Sequence, residues 1–328
     1  MNKILIVGGG SFGTAVASIL AEACQNDVTL YARSPAIVES INVNKKNPKY
    51  LGNSNLSENL KAVSRLPKEQ FSFVFLALPS SAIYEFINTD ANDLRMDCIV
   101  NLAKGYIAHR KVLITDYLIE KFGAESIATL KGPTFSKELL SSPLSGLTLG
   151  CTFNNYKLLS SIFNNTPLSL DYIDNIKVVE YLSILKNVYA IIMGIMESSE
   201  SGNNYRAALF TACLKEIQLI IEYRTNSKID AICFAGVGDF LLTSLNDQSR
   251  NRMLGLMFGK SFVSPSLFKS SVVTEGLLAI DYFEHNLTLE QLNLPMLNFL
   301  ILLKNGEFDV SVFKSSILST LLKRNLND

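Results

Sequence analysis

Histidine is scarce in this 328-residue chain. Only His109 and His285 occur, both in polar, loop-like or helix-end contexts. That scarcity argues against a His-based triad and a His-rich metal site, and assigns any acid–base chemistry to Lys, Asp, Glu, Tyr or Cys. The five cysteines (Cys24, Cys98, Cys151, Cys213 and Cys233) are odd in number, far apart and without a C-x-x-C pair. They argue against a disulfide framework or a zinc site and fit a reducing cytoplasm. Each lies in an apolar run, where a small core residue is the default reading. Excess charge is missing too: Lys+Arg and Asp+Glu are 30 each, for a net charge of zero. No global field then draws nucleic acid. The longest apolar stretch, "VYAIIMGIM", falls far short of the ~20 residues that span a bilayer. The chain enters a strand pattern at once, with no charged leader, apolar segment and cleavage site. The expectation is a soluble cytoplasmic protein without a nucleic-acid partner or stable membrane insertion.

What is present is a globular composition, 48% hydrophobic and 18% charged, with mean hydropathy +0.22. The length suits two domains with full cores, or one large one. The first half alternates short apolar runs ("KILIV", "VTLYA", "FVFLAL", "CIVNLA", "IATLKG", "GLTLGC") with helical patterns at Thr14–Cys24, Pro35–Asn44, Ala82–Ile87 and Val112–Phe122. Continuous apolar strands alternating with helices predict an α/β fold with a parallel sheet covered on both faces. Strand signals thin out after about residue 177. "KVVEYLSILKNVYAIIMGIMES", "NNYRAALFTACLKEIQLIIEY" and "SVFKSSILSTLLKRNL" follow as helical patterns, the first apolar nearly all round. A boundary is expected there, between a sheet domain (1–177) and an all-α domain (178–328).

Gly8-x-Gly10-x-x-Gly13 stands where a strand runs in and a helix leaves. In that setting Gly8 permits the tight turn, Gly10 lets the backbone approach a pyrophosphate, and Gly13 lets helix and strand pack closely. The free N–H groups and dipole of the helix start then hold the anion. A glycine corner without ligand is the competing reading. The second strand of such units normally ends in an acid that binds ribose hydroxyls, but "DVTLYARS" carries Arg33. A cation there suits a 2′-phosphate, so NADPH is favoured or tolerated, unless Arg33 is only an exposed surface residue.

Four further stretches carry polar groups that a core pattern does not need. "NLAKGY" puts Lys104 at a strand's C-terminal end, where open α/β sheets bind ligands. "LKGPTFSKEL" offers Gly132, Thr134 and Ser136 at a turn before a helix near Phe135; a helix cap made by Thr134 or Ser136 is the alternative. "EYLSILKNVYAI" puts Lys186 on a helical face with Val179, Leu182, Ala190 and Met193. A lysine in an apolar stripe costs free energy unless paired, and burial lowers its pKa toward the range of acid–base work; otherwise it snorkels to the surface. "GVGDFLLTSLNDQSRNR" supplies Asp239 as a candidate partner for Lys186, then Ser249, Arg250 and Asn251, whose fork and amide suit a phosphate. A surface basic cluster is the alternative.

Together these stretches, with "NPKYLGNSNLSENL" and "VVTEG", resemble the bacterial-type NAD(P)-dependent glycerol-3-phosphate dehydrogenases, in order along nearly the whole chain. The resemblance implies a Rossmann-like N-terminal domain, an all-α C-terminal domain, an NAD(P)H cofactor, and reduction of dihydroxyacetone phosphate, a small phosphorylated ketone, to sn-glycerol 3-phosphate for phospholipid synthesis. It implies Lys186 as catalytic lysine with Asp239 as its acidic partner. Lys104, Gly132, Ser249, Arg250 and Asn251 match substrate positions, Thr134 joins them as a turn hydroxyl, and Thr243 falls on an active-site position. Ser11, Phe12, Arg33, Lys104, Ser136, Arg250, Val273 and Glu275 match cofactor positions, beside Gly8, Gly10 and Gly13. No metal is called for, and a homodimer is the expected assembly.

The chain also departs from the family. Phe12 replaces a Trp, Asn203 an acid and Arg206 a lysine, and "EGLLAIDY" replaces the usual sequence after Glu275. Two other readings stay open. One is a related dehydrogenase of the 3-hydroxy acid type, against which the Ser-Arg-Asn cluster speaks. The other is a non-catalytic NAD(P)-binding homologue, against which Lys186 and Asp239 speak.

Overall fold

The structure is a computed structural model that describes residues 1–198, 202–228, 231–263, 274–287 and 292–323. The chain divides into two compact units, Met1–Glu180 and Tyr181–Asp328.

The first unit contains ten strands: β1 (Asn2–Val7), β2 (Asn26–Tyr31), β3 (Lys61–Val63), β4 (Gln70–Leu76), β5 (Arg95–Asn101), β6 (Tyr106–Ile107), β7 (Val112–Leu113), β8 (Ile127–Lys131), β9 (Ser145–Gly150) and β10 (Leu168–Ile173). Its helices are α1 (Ser11–Glu22), α2 (Pro35–Asn44), α3 (Pro48–Leu51), α4 (Ser80–Thr89), α5 (Ile114–Phe122), α6 (Ser136–Leu139) and α7 (Phe153–Ile162). Eight strands form one sheet in the order β10-β9-β8-β5-β4-β1-β2-β3, while β6 and β7 make a small hairpin. The apolar runs read as strands because side chains alternate between two covered faces. Ile4 and Ile6 enter one core with Val28, Phe73 and Val100, while Leu5 and Val7 enter the other with Val74, Leu76 and Ile99.

All strand pairs of this sheet are parallel except β8 and β9. The parallel reading needs that one amendment, and its cause is the connection. Between Lys131 and Ser145 lies only the four-residue helix α6. That is too little for the helical crossover a parallel neighbour requires. Strand order reverses beside β1, whose neighbours are β4 and β2. Ligands of open α/β sheets bind outside the carboxyl ends of the strands at such a point.

In the second unit, α8 (Ile176–Glu197), which begins in the first, continues, followed by α9 (Asn203–Thr225), α10 (Asp239–Leu245), α11 (Arg250–Gly259), α12 (Glu275–Asn286), α13 (Pro295–Asn305) and α14 (Val310–Lys323). By length and composition alone, α8 could cross a membrane, but its apolar window is wholly buried in the protein. Helices α8 and α11 touch backbone to backbone. A Cβ on Gly194 would stand 2.3 Å from Arg252 O, and one on Gly255 2.1 Å from Ile191 O. Three cysteines (Cys98, Cys151 and Cys213) are core residues as expected, but Cys24, beyond the end of α1, is exposed. Burial pushes the Cys98 and Cys151 thiols up to about 12.

The unusual segment after Glu275 lies in α12 and makes contacts to α13 and α8. Lys304 pairs with Asp281 and Glu284, and the hydroxyls of Tyr282 and Tyr181 lie 3.3 Å apart. Burial alone would raise the Glu284 carboxyl, but hydrogen bonds from Lys304 and Asn305 outweigh it and hold the group below its ordinary 4.5. A carboxylate lowered in the folded state stabilises at pH above its unfolded value, and that share is lost as pH falls through the folded value. Lys304→Met is therefore expected to lower Tm by about 2–4 °C at pH 7. The gap from the native chain should narrow in melts taken toward pH 3.

Candidate functional site

The proposed ligand-binding residues of the first unit stand at carboxyl ends of strands. The glycine turn joins β1 to α1. Gly8 has φ +123°, and a Cβ there would stand 2.4 Å from Ala77 O. A Cβ on Gly13 would stand 2.2 Å from Gly8 O, so α1 rests directly on the turn. Nothing lies within 4 Å of where a Gly10 Cβ would be. Gly10 is also the N-cap of α1 and gives its first turn no side-chain acceptor. An open face over uncapped N–H groups fits the pyrophosphate of a dinucleotide. Ser11 Oγ donates to Tyr50 O at 3.4 Å, and Phe12 packs half-buried against the core.

One residue that holds this turn was missed. Asn47, in "NPKYLG", donates from Nδ2 to Gly9 O at 3.1 Å and to Thr14 Oγ1 at 2.9 Å, and so clamps the glycine turn. Its sequence signals were its place before a proline and at the head of "NPKYLGNSNLSENL", which carries the resemblance without a role for Asn47.

Arg33 is exposed just past the end of β2. Lys104 follows β5 and is half-buried, and Gly132 follows β8 and is buried. Thr134 Oγ1 donates to Gly132 O at 3.4 Å, and the N-cap of α6 is Phe135, so neither Thr134 nor Ser136 caps that helix. Ser136 is instead its first residue.

In the second unit, Lys186 does not snorkel. Its side chain is 6% exposed and that of Asp239 1%. Nζ donates to Asp239 Oδ1 at 2.5 Å and to Thr243 Oγ1 at 2.9 Å. Lys186 comes from the middle of α8, while Asp239 and Thr243 lie one turn apart on α10. A π-helical turn, Phe234–Gly238, delivers the chain into α10, and Cys233 Sγ caps it by accepting from Gly236 N at 3.2 Å.

The Ser-Arg-Asn run separates by role. Ser249 is the N-cap of α11, its Oγ accepting from Arg252 N at 3.3 Å. Arg250 is exposed on the first turn. Asn251 is buried: its Nδ2 donates to Asn187 Oδ1 at 3.0 Å and its Oδ1 accepts from Gly276 N at 3.2 Å. Asn187 also donates to Glu275 Oε2 at 3.4 Å. The residue after Lys186, which sequence reasoning did not select, thus joins Asn251 to Glu275. Arg252, buried, binds Glu197 Oε2 at 3.0 Å and also Asp247, anchoring the start of α11. Arg206, one of the departures, meets the same Glu197, Nε to Oε1, at 3.1 Å. Asn203 is exposed at the start of α9. Val273 lies outside the described residues.

Comparisons with known proteins agree along the chain. Residues 3–157 match the family described as NAD-dependent glycerol-3-phosphate dehydrogenase N-terminus, and residues 175–313 its C-terminus. The chain is 34% identical to a glycerol-3-phosphate dehydrogenase (NAD(P)+) of Methanothermobacter thermautotrophicus over 90% of each protein. It is 30% identical to one of Staphylococcus epidermidis over 99% of this chain and 98% of that protein. A glycerol-3-phosphate dehydrogenase crystal structure from Coxiella burnetii superposes with a TM-score of 0.82 at 26% identity, covering 97% of this chain and 98% of that one.

Proposed function

The chain belongs to the NAD-dependent glycerol-3-phosphate dehydrogenase family, and from that premise we infer that it reduces dihydroxyacetone phosphate to sn-glycerol 3-phosphate with NAD(P)H. The observation that carries this reading is the buried ion pair of Lys186 and Asp239, buttressed by Thr243.

Gly8, Gly10, Ser11, Phe12 and Gly13 hold the dinucleotide at the start of α1, with Arg33, Lys104, Ser136, Arg250, Val273 and Glu275 as its other contacts. When bound, it supplies the hydride. The residues of the chain manage the charge that results. Negative charge grows on the ketone oxygen, and the Lys186 ammonium stabilises it and donates the proton. Asp239 favours the charged form of that lysine against the cost of burial. Asp239 and Thr243 accept from Nζ in fixed directions, so the ammonium is oriented before substrate arrives. Ser249, Arg250 and Asn251 bind the phosphate, remote from the reacting carbon, with Lys104, Gly132 and Thr134 as further substrate contacts. That remote binding energy positions the ketone. Asn251 acts with one amide hydrogen already given to Asn187, which leaves Arg250 as the principal phosphate ligand.

A phosphorylated substrate is what separates this reading from a 3-hydroxy acid dehydrogenase. A panel of dihydroxyacetone phosphate, dihydroxyacetone and short 3-keto acids, read by nicotinamide absorbance, should give turnover with the phosphorylated ketone alone. Turnover with a keto acid would transfer the protein to the other class. Cofactor binding without consumption would make it a non-catalytic homologue.

Arg33 is read as the contact of a 2′-phosphate. Arg33→Gln is expected to raise the KM for NADPH about 10-fold, the size of one charge-assisted hydrogen bond, and to leave that for NADH within about twofold. Equal shifts for both cofactors would assign Arg33 to the surface. The product is read as a precursor for glycerophospholipid synthesis in the cytoplasm, without stable membrane insertion. The assembly is read as a homodimer. Exposed Leu241, Leu245, Met253 and Met257 on α10 and α11 support a covered face, and light scattering reports the mass.

A further inference from the structure

Lys131, the last residue of β8, carries a charge that the account above does not use. Its side chain and that of Glu180 are each 0% exposed, with Nζ 3.1 Å from Glu180 Oε1. The same ammonium donates to two main-chain carbonyls, Asn101 O at 3.1 Å and Ala103 O at 2.5 Å. Asn101 tightens the turn from within. Its Nδ2 donates to Glu180 Oε1 at 3.0 Å and to Ala103 O at 3.3 Å, and its Oδ1 accepts from Ala103 N at 3.0 Å. Thr129 Oγ1 lies 2.5 Å from Glu180 Oε1 and 3.1 Å from Asn101 O.

Stability alone does not account for this arrangement. A buried ion pair is commonly replaced by apolar side chains of equal volume with no loss of stability. Here the donors converge on the turn that leaves β5. The Ala103 carbonyl and the Lys104 N–H belong to one peptide plane, so holding that oxygen sets the backbone entry to Lys104. Gly105 follows at φ +132°, a conformation closed to most other residues. Lys104 is therefore held from both sides. Gly132, next in the chain to Lys131, is itself a proposed substrate contact.

We infer that Lys131 is a positioning residue for the proposed reaction: with Glu180 it pins the turn at 101–105 and so fixes where Lys104 meets the substrate. The inference rests on the reading that Lys104 contacts dihydroxyacetone phosphate.

The test replaces both charges at once, Lys131→Met with Glu180→Gln, so that no lone charge stays buried, and measures steady-state reduction of dihydroxyacetone phosphate with and without Lys104→Ala. In the native background kcat/KM is expected to fall about 10-fold, mainly through a higher KM, as displacement of a positioned group does. In the Lys104→Ala background the same pair should cost less than about twofold, since effects transmitted through one residue are not additive. Equal losses in both backgrounds, or none in the native one, would overturn the inference. An unchanged kcat/KM for Lys104→Ala alone would instead remove Lys104 from the substrate site, and the inference with it. If the paired variant does not fold, Thr129→Val takes its place, because it removes one hydroxyl donor and no charge. It should show a smaller loss with the same dependence on Lys104, and a loss independent of Lys104 would overturn the proposal.

Discussion

Lys186→Ala is expected to reduce kcat by about 10³–10⁴-fold, the upper part of the range for a lost general acid, since the same ammonium also stabilises the oxyanion. The Kd for NADPH should stay within about twofold, because the proposed pyrophosphate contacts are made at the β1–α1 turn. The variant also leaves Asp239 buried without its cation, which costs about 3–5 kcal/mol in comparable pairs. Turnover must therefore be measured well below the variant's own Tm. Lys186→Met combined with Asp239→Asn removes both charges and separates the two effects: it should restore much of the Tm and none of the rate. A kcat within tenfold of native for either variant would remove Lys186 from proton transfer.

The next largest effect is expected at the phosphate cluster. Arg250→Ala should raise the KM for dihydroxyacetone phosphate about 10–100-fold, the equivalent of one or two charge-assisted hydrogen bonds. Its Tm should change little, because the side chain is exposed on the first turn of α11. Arg252→Ala should do the reverse. It strips Glu197 of a buried partner and is expected to cost about 3 kcal/mol of stability or more. An unchanged KM in Arg250→Ala would exclude it from the phosphate site. The contrast between two arginines so close in one run is the sharper result, since composition alone treats them alike.

Much of the fold was legible because apolar periodicity reports burial. Each apolar run of the first half overlaps a strand of the sheet and Pro35–Asn44 is a helix with those same bounds, whereas the helical pattern at Val112–Phe122 divides into β7 and α5. Direction was not legible, since an apolar run reads the same either way, and the connection from β8 to the antiparallel β9 holds only the four-residue α6 in place of a full crossover helix. Four strands were missed: β3 and β10, the edges of the large sheet, and the two-residue hairpin strands β6 and β7. Of the two edges, β3 is three residues long and β10 carries partly exposed polar residues.

In the site, a charge in an apolar stripe was a usable signal, and it led to Lys186. Its neighbour Asp239 lies 53 residues away, a distance that spacing does not bridge; the expectation of a partner came from the cost of leaving a lysine buried. Arg252 was overlooked because in a sequence a buried charge beside polar neighbours looks like a surface one, and Lys131 and Glu180 because each stands in an apolar run read only as strand or helix core. Asn47 and Asn187 were overlooked because a neutral amide advertises nothing until its partners are known.

The central claim is most directly tested by incubating the purified chain with dihydroxyacetone phosphate and NADPH, then NADH, and assaying the product with an enzyme specific for sn-glycerol 3-phosphate. The account predicts one equivalent of that stereoisomer for each nicotinamide oxidised. Bound cofactor without ketone-dependent oxidation, or oxidation that yields the other stereoisomer, would contradict it.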